Sequence, residues 1–260
     1  MIFNIENIWI FLIILPFVSL LYGSIGHGGA SGYLALMALF SFSPDMMRPT
    51  ALLLNLFVSG IAFYHYYRSG HFNRKLFLSF ALSSIPLSLV GSMISIDSVL
   101  YKKILGIVLL IAILKMLSDF GNNKAKLRQV KMWQGLVIGP FIGFLSGLIG
   151  IGGGIILTPI ILLFHWGDLK SAAAVSALFI WVNSAAGLFG QMAIGVEISG
   201  EAFILVGIAC IGGFIGSYLG SKKLNNSALR YVLAFVLSLA TIKLFFIQNK
   251  YLVKATPSCM

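Results

Sequence analysis

Long apolar runs separated by short polar loops extend along almost the whole of this 260-residue chain. They cover about residues 8–24, 30–43, 50–67, 76–95, 103–119, 133–149, 153–165, 171–193, 202–220 and 228–247. A helix that crosses a membrane needs about 20 apolar residues, whereas a membrane β-strand needs only ~10 residues of alternating character. The runs therefore predict an all-α, polytopic membrane protein.

Composition supports this class, because 59% of the residues are apolar and only 10% are charged. So few charges cannot solvate the surface of a soluble chain of this length. The two cysteines, Cys210 and Cys259, have neither metal-ligand nor disulfide spacing, and we expect no metal, no cofactor and no enzyme activity. Residues 1–8 carry no Lys or Arg, so we interpret the first run as mature structure and not as a signal peptide.

The loops differ in charge, which predicts the topology. Three loops are basic: one holds Arg68, Arg74 and Lys75, another holds Lys124, Lys126, Arg128 and Lys131, and a third holds Lys222 and Lys223. Short loops rich in Lys and Arg stay in the cytoplasm, so both termini are expected outside, in the plasma membrane. The net charge of +11 is then a topology signal with attraction to anionic lipid, and no nucleic acid is needed to explain it.

The sequence repeats itself at a nearly constant offset. A shift of 124 residues lays Gly23 onto Gly147, and a shift of 125 lays Ser59 onto Ser184. Each copy holds five segments, and since five is odd the second copy would enter the membrane from the opposite side, as an inverted repeat. The first two runs of each copy are short, so they predict either six full spans with two short-helix hairpins or up to ten segments. We place the first repeat at 1–120, a basic linker at 121–132, the second repeat at 133–248 and a tail at 249–260.

Each copy has a glycine cluster within its apolar runs, GSIGHGGASG at 23–32 and GLIGIGGG at 147–154. Glycine weakens a helix interior by about 1 kcal/mol relative to alanine, so the clusters predict helix breaks. The helix that begins after a break has free backbone N–H groups and the positive end of its dipole, which together can bind a small anion. The alternative is close helix packing, which we expect for the isolated Gly91 and Gly139.

Polar residues within the apolar runs extend the expected site. His27 could assist anion binding or carry a coupled proton, and the alternative is a structural histidine at a helix break. Asn55, Asn183, Ser59, Ser184 and Gln191 could bind a substrate oxyanion or only join helices. The residues expected to bind the substrate are Gly26, His27, Gly28, Gly29, Ser31, Gly150, Gly152, Gly153, Gly154, Asn55, Ser59, Asn183 and Ser184. We expect Lys115 and Lys243 to reach the headgroups, and Arg48 and Lys170 to be interfacial anchors or to attract anions.

With Gly-x-Gly-Gly in each half and Pro159 in the second, the chain resembles the TauE/SafE family of sulfite exporters and probable membrane transporters over about residues 10–247. The resemblance implies transport of a small sulfur-containing or organic anion, such as sulfite, a sulfonate or a related carboxylate. The second copy, IGIGGGIILTP, follows the family pattern. The first departs from it at His27, Ala30, Ser31 and Ala35, so its half of the site is open to a different substrate.

We therefore expect an alternating-access anion transporter in a lipid bilayer, with a proton as the candidate coupling ion and a homodimer as the assembly to test. An anion channel of the same architecture and a non-transporting scaffold stay open as alternatives. A rhomboid-like intramembrane protease is a further alternative, because Gly29 to Gly32 match its Gly-x-Ser-Gly motif. A serine nucleophile needs a histidine base, and no later intramembrane histidine lies in a small-residue context.

Overall fold

A computed structural model describes residues 8–40, 42–94 and 127–225, together with Leu100, Ile107 and Tyr231. The predicted runs 103–119 and 228–247 lie outside the described residues, apart from Ile107 and Tyr231. The same is true of the tail at 249–260 and of Lys115, Lys243 and Cys259.

The described chain forms helices and no strand, as the apolar runs predicted. The helices are α1 (Ile8–Ser24), α2 (Ala30–Leu39), α3 (Pro44–Arg68), α4 (Arg74–Met93), α5 (Met132–Ile149), α6 (Gly154–Leu163), α7 (Leu169–Ala193) and α8 (Glu201–Tyr218). Five of these stretches are long and apolar enough to cross a membrane: Asp45–Arg68, Arg74–Met93, Met132–Ile149, Leu169–Ala193 and Glu201–Lys223. α1 and α6 are shorter apolar helices, and α2 has 10 residues.

Helix ends follow local chemistry. The Asn73 side chain accepts from the Leu76 N–H at 3.1 Å and starts α4, and Asp168 accepts from the Ser171 N–H at 2.9 Å and starts α7. α3 begins at residue 44 and not near 50 as predicted. The first turn holds the charged Asp45, which is why the apolar run begins later than the helix. A carboxylate there is favourable next to the positive end of the helix dipole.

The eight helices form two sets of four that match in order and length. α1 to α4 have 17, 10, 25 and 20 residues, and α5 to α8 have 18, 10, 25 and 18. Contacts between helices also occur in matched pairs, with α1, α3 and α4 equivalent to α5, α7 and α8. The pair α1–α8 matches α5–α4, and the pair α3–α8 matches α7–α4. The equivalent helices α3 and α7 pack on each other in the centre. The direction of each set across a membrane and the limits of the repeats stay predictions.

Glycines form the two tightest helix pairs. On α5, four glycines lie against backbone carbonyls of α4: Gly135, Gly139, Gly143 and Gly147. On α8, Gly212 and Gly216 lie against the carbonyls of Pro16 and Leu20, and Gly220, just after α8, lies against that of Ser24. A Cβ atom at any of these positions would overlap the facing helix. The packing role predicted for Gly139 and Gly91 is confirmed, since Gly91 lies against the Phe144 carbonyl.

Large apolar side chains cover the outside of the bundle. Trp9 is 75% exposed, Val137 67% and Phe189 65%, whereas the buried set includes many polar groups such as Ser19, Asn55, Ser88 and Asn183. A soluble protein rarely exposes so much apolar surface. The arrangement is that of a chain whose exterior faces lipid and whose polar groups face inward.

Glycine packing gives a test on a single helix. Replacing Gly216 with Ala should destabilise the protein by roughly 1 to 3 kcal/mol, because the new methyl group overlaps the Leu20 carbonyl of α1. Gly207→Ala on the same helix is the matched control, since a Cβ there meets nothing within 4 Å. Thermal unfolding in detergent should show a lower Tm for Gly216→Ala and an unchanged or higher Tm for Gly207→Ala. Equal Tm values for the two variants would contradict glycine-mediated packing.

Candidate functional site

The two glycine clusters interrupt the helices where the sequence predicted. α1 ends at Ser24 and α2 begins at Ala30, and α5 ends at Ile149 and α6 begins at Gly154. We call residues 25–29 the first break and residues 150–153 the second break. The φ angles are positive at Gly26, Gly29, Gly150, Gly152 and Gly153, with values from 72° to 100°. L-residues with side chains rarely adopt this conformation, which is why both breaks consist mainly of glycine.

Both breaks leave backbone N–H groups without partners. Among the described residues, the N–H groups of Gly28, Gly29, Gly152 and Gly153 donate to no backbone carbonyl or side chain. Each pair precedes the start of a helix, where the dipole adds roughly half a positive charge. An N–H without a partner in an apolar interior is costly, so these groups form sites that a small anion could satisfy.

Two side chains lie between the breaks. A Cβ atom built on Gly28 would lie 2.5 Å from Asn55 Oδ1 and 3.1 Å from Ile180 Cγ2. One built on Gly152 would lie 2.7 Å from Ile180 Cγ2, 2.8 Å from Asn55 Nδ2 and 3.0 Å from Ser184 Oγ. Asn55 on α3 and Ile180 on α7 therefore each contact both breaks.

Several polar atoms around this point have no hydrogen-bond partner. Within the described chain, Asn55 Nδ2, Asn55 Oδ1, Ser59 Oγ and Ser184 Oγ are buried and unpaired, and all three residues are 0% exposed. A buried polar group without a partner costs about 1 to 3 kcal/mol. Such groups are few in native proteins and mark a ligand site or another special role. Of these residues, Asn55 lies beside both Gly28 and Gly152, and Ser184 lies beside Gly152.

His27 joins the two breaks. Its Nε2 lies 3.1 Å from the carbonyl oxygen of Gly154, at the start of α6, and its Nδ1 lies 3.1 Å from that of Ile25. The ring is 2% exposed. His27 belongs to the first glycine cluster, and no local pattern in the sequence indicates that it reaches the second.

A model of the sulfite exporter TauE/SafE family matches residues 11–244, nearly the whole chain. The chain belongs to the TauE/SafE family. A probable membrane transporter protein of Sinorhizobium fredii is 34% identical over 232 residues, which is 87% of this chain and 94% of that protein. Probable membrane transporter proteins of Methanocaldococcus jannaschii and Bacillus subtilis are 28% and 27% identical, covering 87% and 78% of this chain and 91% and 82% of those proteins.

No solved structure matches this chain. Membership of the TauE/SafE family and the apolar helices together make it a multi-pass membrane protein of a transporter family.

The other expected site glycines of this TauE/SafE protein contact different parts of the fold, and one of them contacts Ile180. Gly26 lies against Ala173 of α7, and Gly150 against Arg48 of α3. Gly29 packs on the Tyr33 ring and Gly153 on Phe179, while Gly154 meets Ile180.

Both polar atoms of the Asn183 side chain make hydrogen bonds. Its Oδ1 accepts from Ser84 Oγ at 2.5 Å and its Nδ2 donates to the Phe179 carbonyl at 2.8 Å. This matches the helix-joining alternative weighed for the polar residues of the apolar runs. Gln191, of the same set, has a buried and unpaired Oε1 in the described chain.

Ser31 makes a structural contact. Its hydroxyl donates to the Tyr22 hydroxyl at 2.9 Å, and the nearby His27 ring faces two backbone carbonyls and not Ser31. In the described residues, Ser31 therefore has no histidine base within hydrogen-bond reach, which the protease alternative requires of it.

Three residues that matter here were absent from the sequence-based site. Ile180 could have been found by applying the 125-residue offset to Asn55, which gives position 180. Tyr66, at the other end of α3, donates to the Ser24 carbonyl at 2.5 Å, directly before the first break. Arg48 was expected as an anchor or as a residue that attracts anions. Its guanidinium donates to the Gly147 carbonyl, before the second break, at 3.2 Å. It also donates to the carbonyls of Ser92 and Ile94 at the end of α4. Nothing in the local pattern identifies these partners.

Lys170 has a comparable place at the start of α7. Its Nζ donates to the Ser221 carbonyl at 3.4 Å, just after α8. Both basic residues thus bind carbonyls at the ends of helices, where a positive charge stabilises the dipole. This favours the anchor interpretation over attraction of anions.

The unpaired amide of Asn55 predicts that an apolar side chain at this position makes the protein more stable. Asn55→Leu keeps the branched shape and removes two unpaired polar atoms, so it should raise the free energy of unfolding by about 1 kcal/mol. Asn183→Leu is the matched change on the equivalent long helix, and it should lower stability by roughly 1 to 3 kcal/mol because Ser84 and the Phe179 carbonyl lose their partner. The Tm of each variant in detergent tests this. A large loss of Tm in Asn55→Leu would mean that the amide is bonded in the folded protein.

Proposed function

We propose that this protein carries a small anion across the plasma membrane by alternating access and binds it between the first and second breaks. One observation carries the proposal: unpaired N–H groups from both breaks, and the unpaired amide of Asn55, come together in the buried interior. N–H groups and amide NH₂ groups are donors, and a site rich in donors with no described acidic side chain favours an anion.

The family name narrows the expected substrates. Relatives described as probable membrane transporters and a family named for sulfite export support sulfite, a sulfonate or a related carboxylate as cargo. A paired-break site at the contact of two matched sets of helices is also typical of secondary transporters. We place both termini outside and the basic loops in the cytoplasm, as the loop charges predicted.

The described conformation is closed at the site. Asn55 and Ile180 fill the space between Gly28 and Gly152, and a Cβ atom on either glycine would overlap them. In our proposal an anion enters when the two breaks separate, and the set of helices that carries each break moves relative to the other. A channel would need both sides open at once, and accumulation of the anion against its gradient distinguishes the two.

Adding one methyl group at the site is the direct test. Gly28→Ala places a methyl group 2.5 Å from Asn55 Oδ1, and because the φ of Gly28 is not positive the change adds little backbone strain. We expect at least a tenfold loss of anion flux in proteoliposomes, with normal amounts of protein in the membrane. Gly207→Ala, with open space at its Cβ, is the control and should keep wild-type flux. If Gly28→Ala transports sulfite, methanesulfonate and acetate as fast as Gly207→Ala does, the proposed site is wrong.

We also propose that a proton is the coupling ion and that His27 binds it. Both ring nitrogens face carbonyl oxygens, which only accept hydrogen bonds. A neutral imidazole has one N–H and can donate to one carbonyl, whereas the protonated ring donates to both. Protonation would therefore let the ring donate to the Ile25 and Gly154 carbonyls at the same time, which joins the first break to the start of α6.

Coupling is tested with a pH gradient across the proteoliposome membrane. In the wild type the gradient should drive accumulation of the anion, and in His27→Gln the ratio of flux with and without the gradient should fall to about one, since Gln has no titratable proton. His71→Gln is the control, because His71 lies in the loop between α3 and α4 and should keep the wild-type ratio. Wild-type flux that ignores the gradient would rule out proton coupling.

A further inference from the structure

Asn55 and Ile180 occupy equivalent positions in the two sets of helices. The offset of 125 that lays Ser59 onto Ser184 and Gly70 onto Gly195 also lays Asn55 onto Ile180. The structure bears out the equivalence, since both side chains contact Gly28 and Gly152 and both are at most 2% exposed. They therefore face the same space, one from α3 and one from α7.

Two features near these side chains are matched in the two sets of helices. Ser59 and Ser184 are equivalent, and both have a buried and unpaired hydroxyl in the described chain. Gly28 and Gly152 are equivalent, and both have N–H groups without an acceptor there. The breaks themselves differ, since the offset of 124 lays His27 onto Ile151. On the long helices α3 and α7, the difference is that between Asn55 and Ile180: one wall offers an amide and the other offers only methyl and methylene groups.

We propose that Ile180 is the specificity-determining residue, and that it selects an anion with an apolar group on the side opposite its charged oxygens. This inference rests on the proposed anion transport and goes beyond it. Oxygens of the anion bind Asn55 and the N–H groups of the breaks, and the apolar group packs on Ile180.

The physical basis is the cost of burying a polar group without a partner. An anion that carries oxygen or nitrogen on every side would place a hydrated group against Ile180 and lose its water without gaining a hydrogen bond. An anion with a methyl group there loses nothing. Apolar pockets discriminate groups of similar size by roughly 10-fold to 100-fold, which sets the size of the expected preference.

Two probe anions isolate this effect. Methanesulfonate and sulfamate are both monoanions with an SO₃ group, and they differ in a CH₃ against an NH₂ group. We expect the wild-type protein in proteoliposomes to transport methanesulfonate with a kcat/KM about tenfold higher than that of sulfamate. A ratio near one, or a preference for sulfamate, would overturn the proposal.

A pair of variants of nearly equal shape tests the residue itself. Ile180→Thr puts a hydroxyl group on the apolar wall, and Ile180→Val, its control, keeps the wall apolar with nearly the same volume as Thr. The kcat/KM ratio should fall toward one in Ile180→Thr and stay near the wild-type ratio in Ile180→Val. Equal ratios in the two variants would overturn the role of Ile180.

The repeat offers a second variant in case one substitution impairs folding. The exchange N55I together with I180N moves the amide to the other wall and preserves the composition of the site. The preference for methanesulfonate should return in the double variant, whereas N55I alone should lose flux of both probes. A double variant that reaches the membrane and transports neither probe would count against equivalent walls.

Failure of this inference and failure of the proposed function give different results. If the wild type moves sulfite but neither probe, or moves both equally, anion transport stands and the specificity proposal fails. If it moves no anion at all, both fail.

Discussion

The interior of a lipid bilayer offers no water to unpaired backbone groups, and the rest of this structure depends on that constraint. Unbroken helices satisfy it without help. The two breaks do not, since Gly28, Gly29, Gly152 and Gly153 keep N–H groups without acceptors in the described chain. Both breaks are therefore surrounded by protein, between α3 and α7, and not by lipid.

The glycine contacts of the helix pairs explain how such a costly interior holds its shape. α5 on α4 and α8 on α1 approach closely enough for glycines to touch carbonyls of the facing helix. Apolar side chains gain little by meeting each other instead of lipid, so close van der Waals contact is the main force that holds such helices together. The two pairs flank the breaks, and the central pair of α3 and α7 carries the polar side chains that line them.

Most of the fold could be predicted from the sequence, because apolar runs and glycine clusters are local signals. The breaks, the matched sets of helices and the packing role of Gly139 follow from those signals. Partners could not be predicted: Asn55 and Asn183 look alike in the sequence, yet only Asn183 is bonded, because Ser84 happens to face it. Ser31 likewise faces Tyr22, and Ile180 escaped notice because an isoleucine in an apolar run carries no local signal. Such facts depend on which side chain lies opposite, and that is a property of the packing.

α3 binds the chain before both breaks, whereas Lys170 of its counterpart α7 binds the chain just after α8. Its first turns hold the end of α5 through Arg48, its middle lies between the breaks at Asn55, and its last turn holds the end of α1 through Tyr66. The equivalent positions on α7 are Ala173 and Gln191, which lack the guanidinium and the phenol. A helix of 25 residues is about 37 Å long and stiff along its axis. One stiff helix thus binds the chain before both breaks, so any tilt of α3 changes the contacts at the two breaks together.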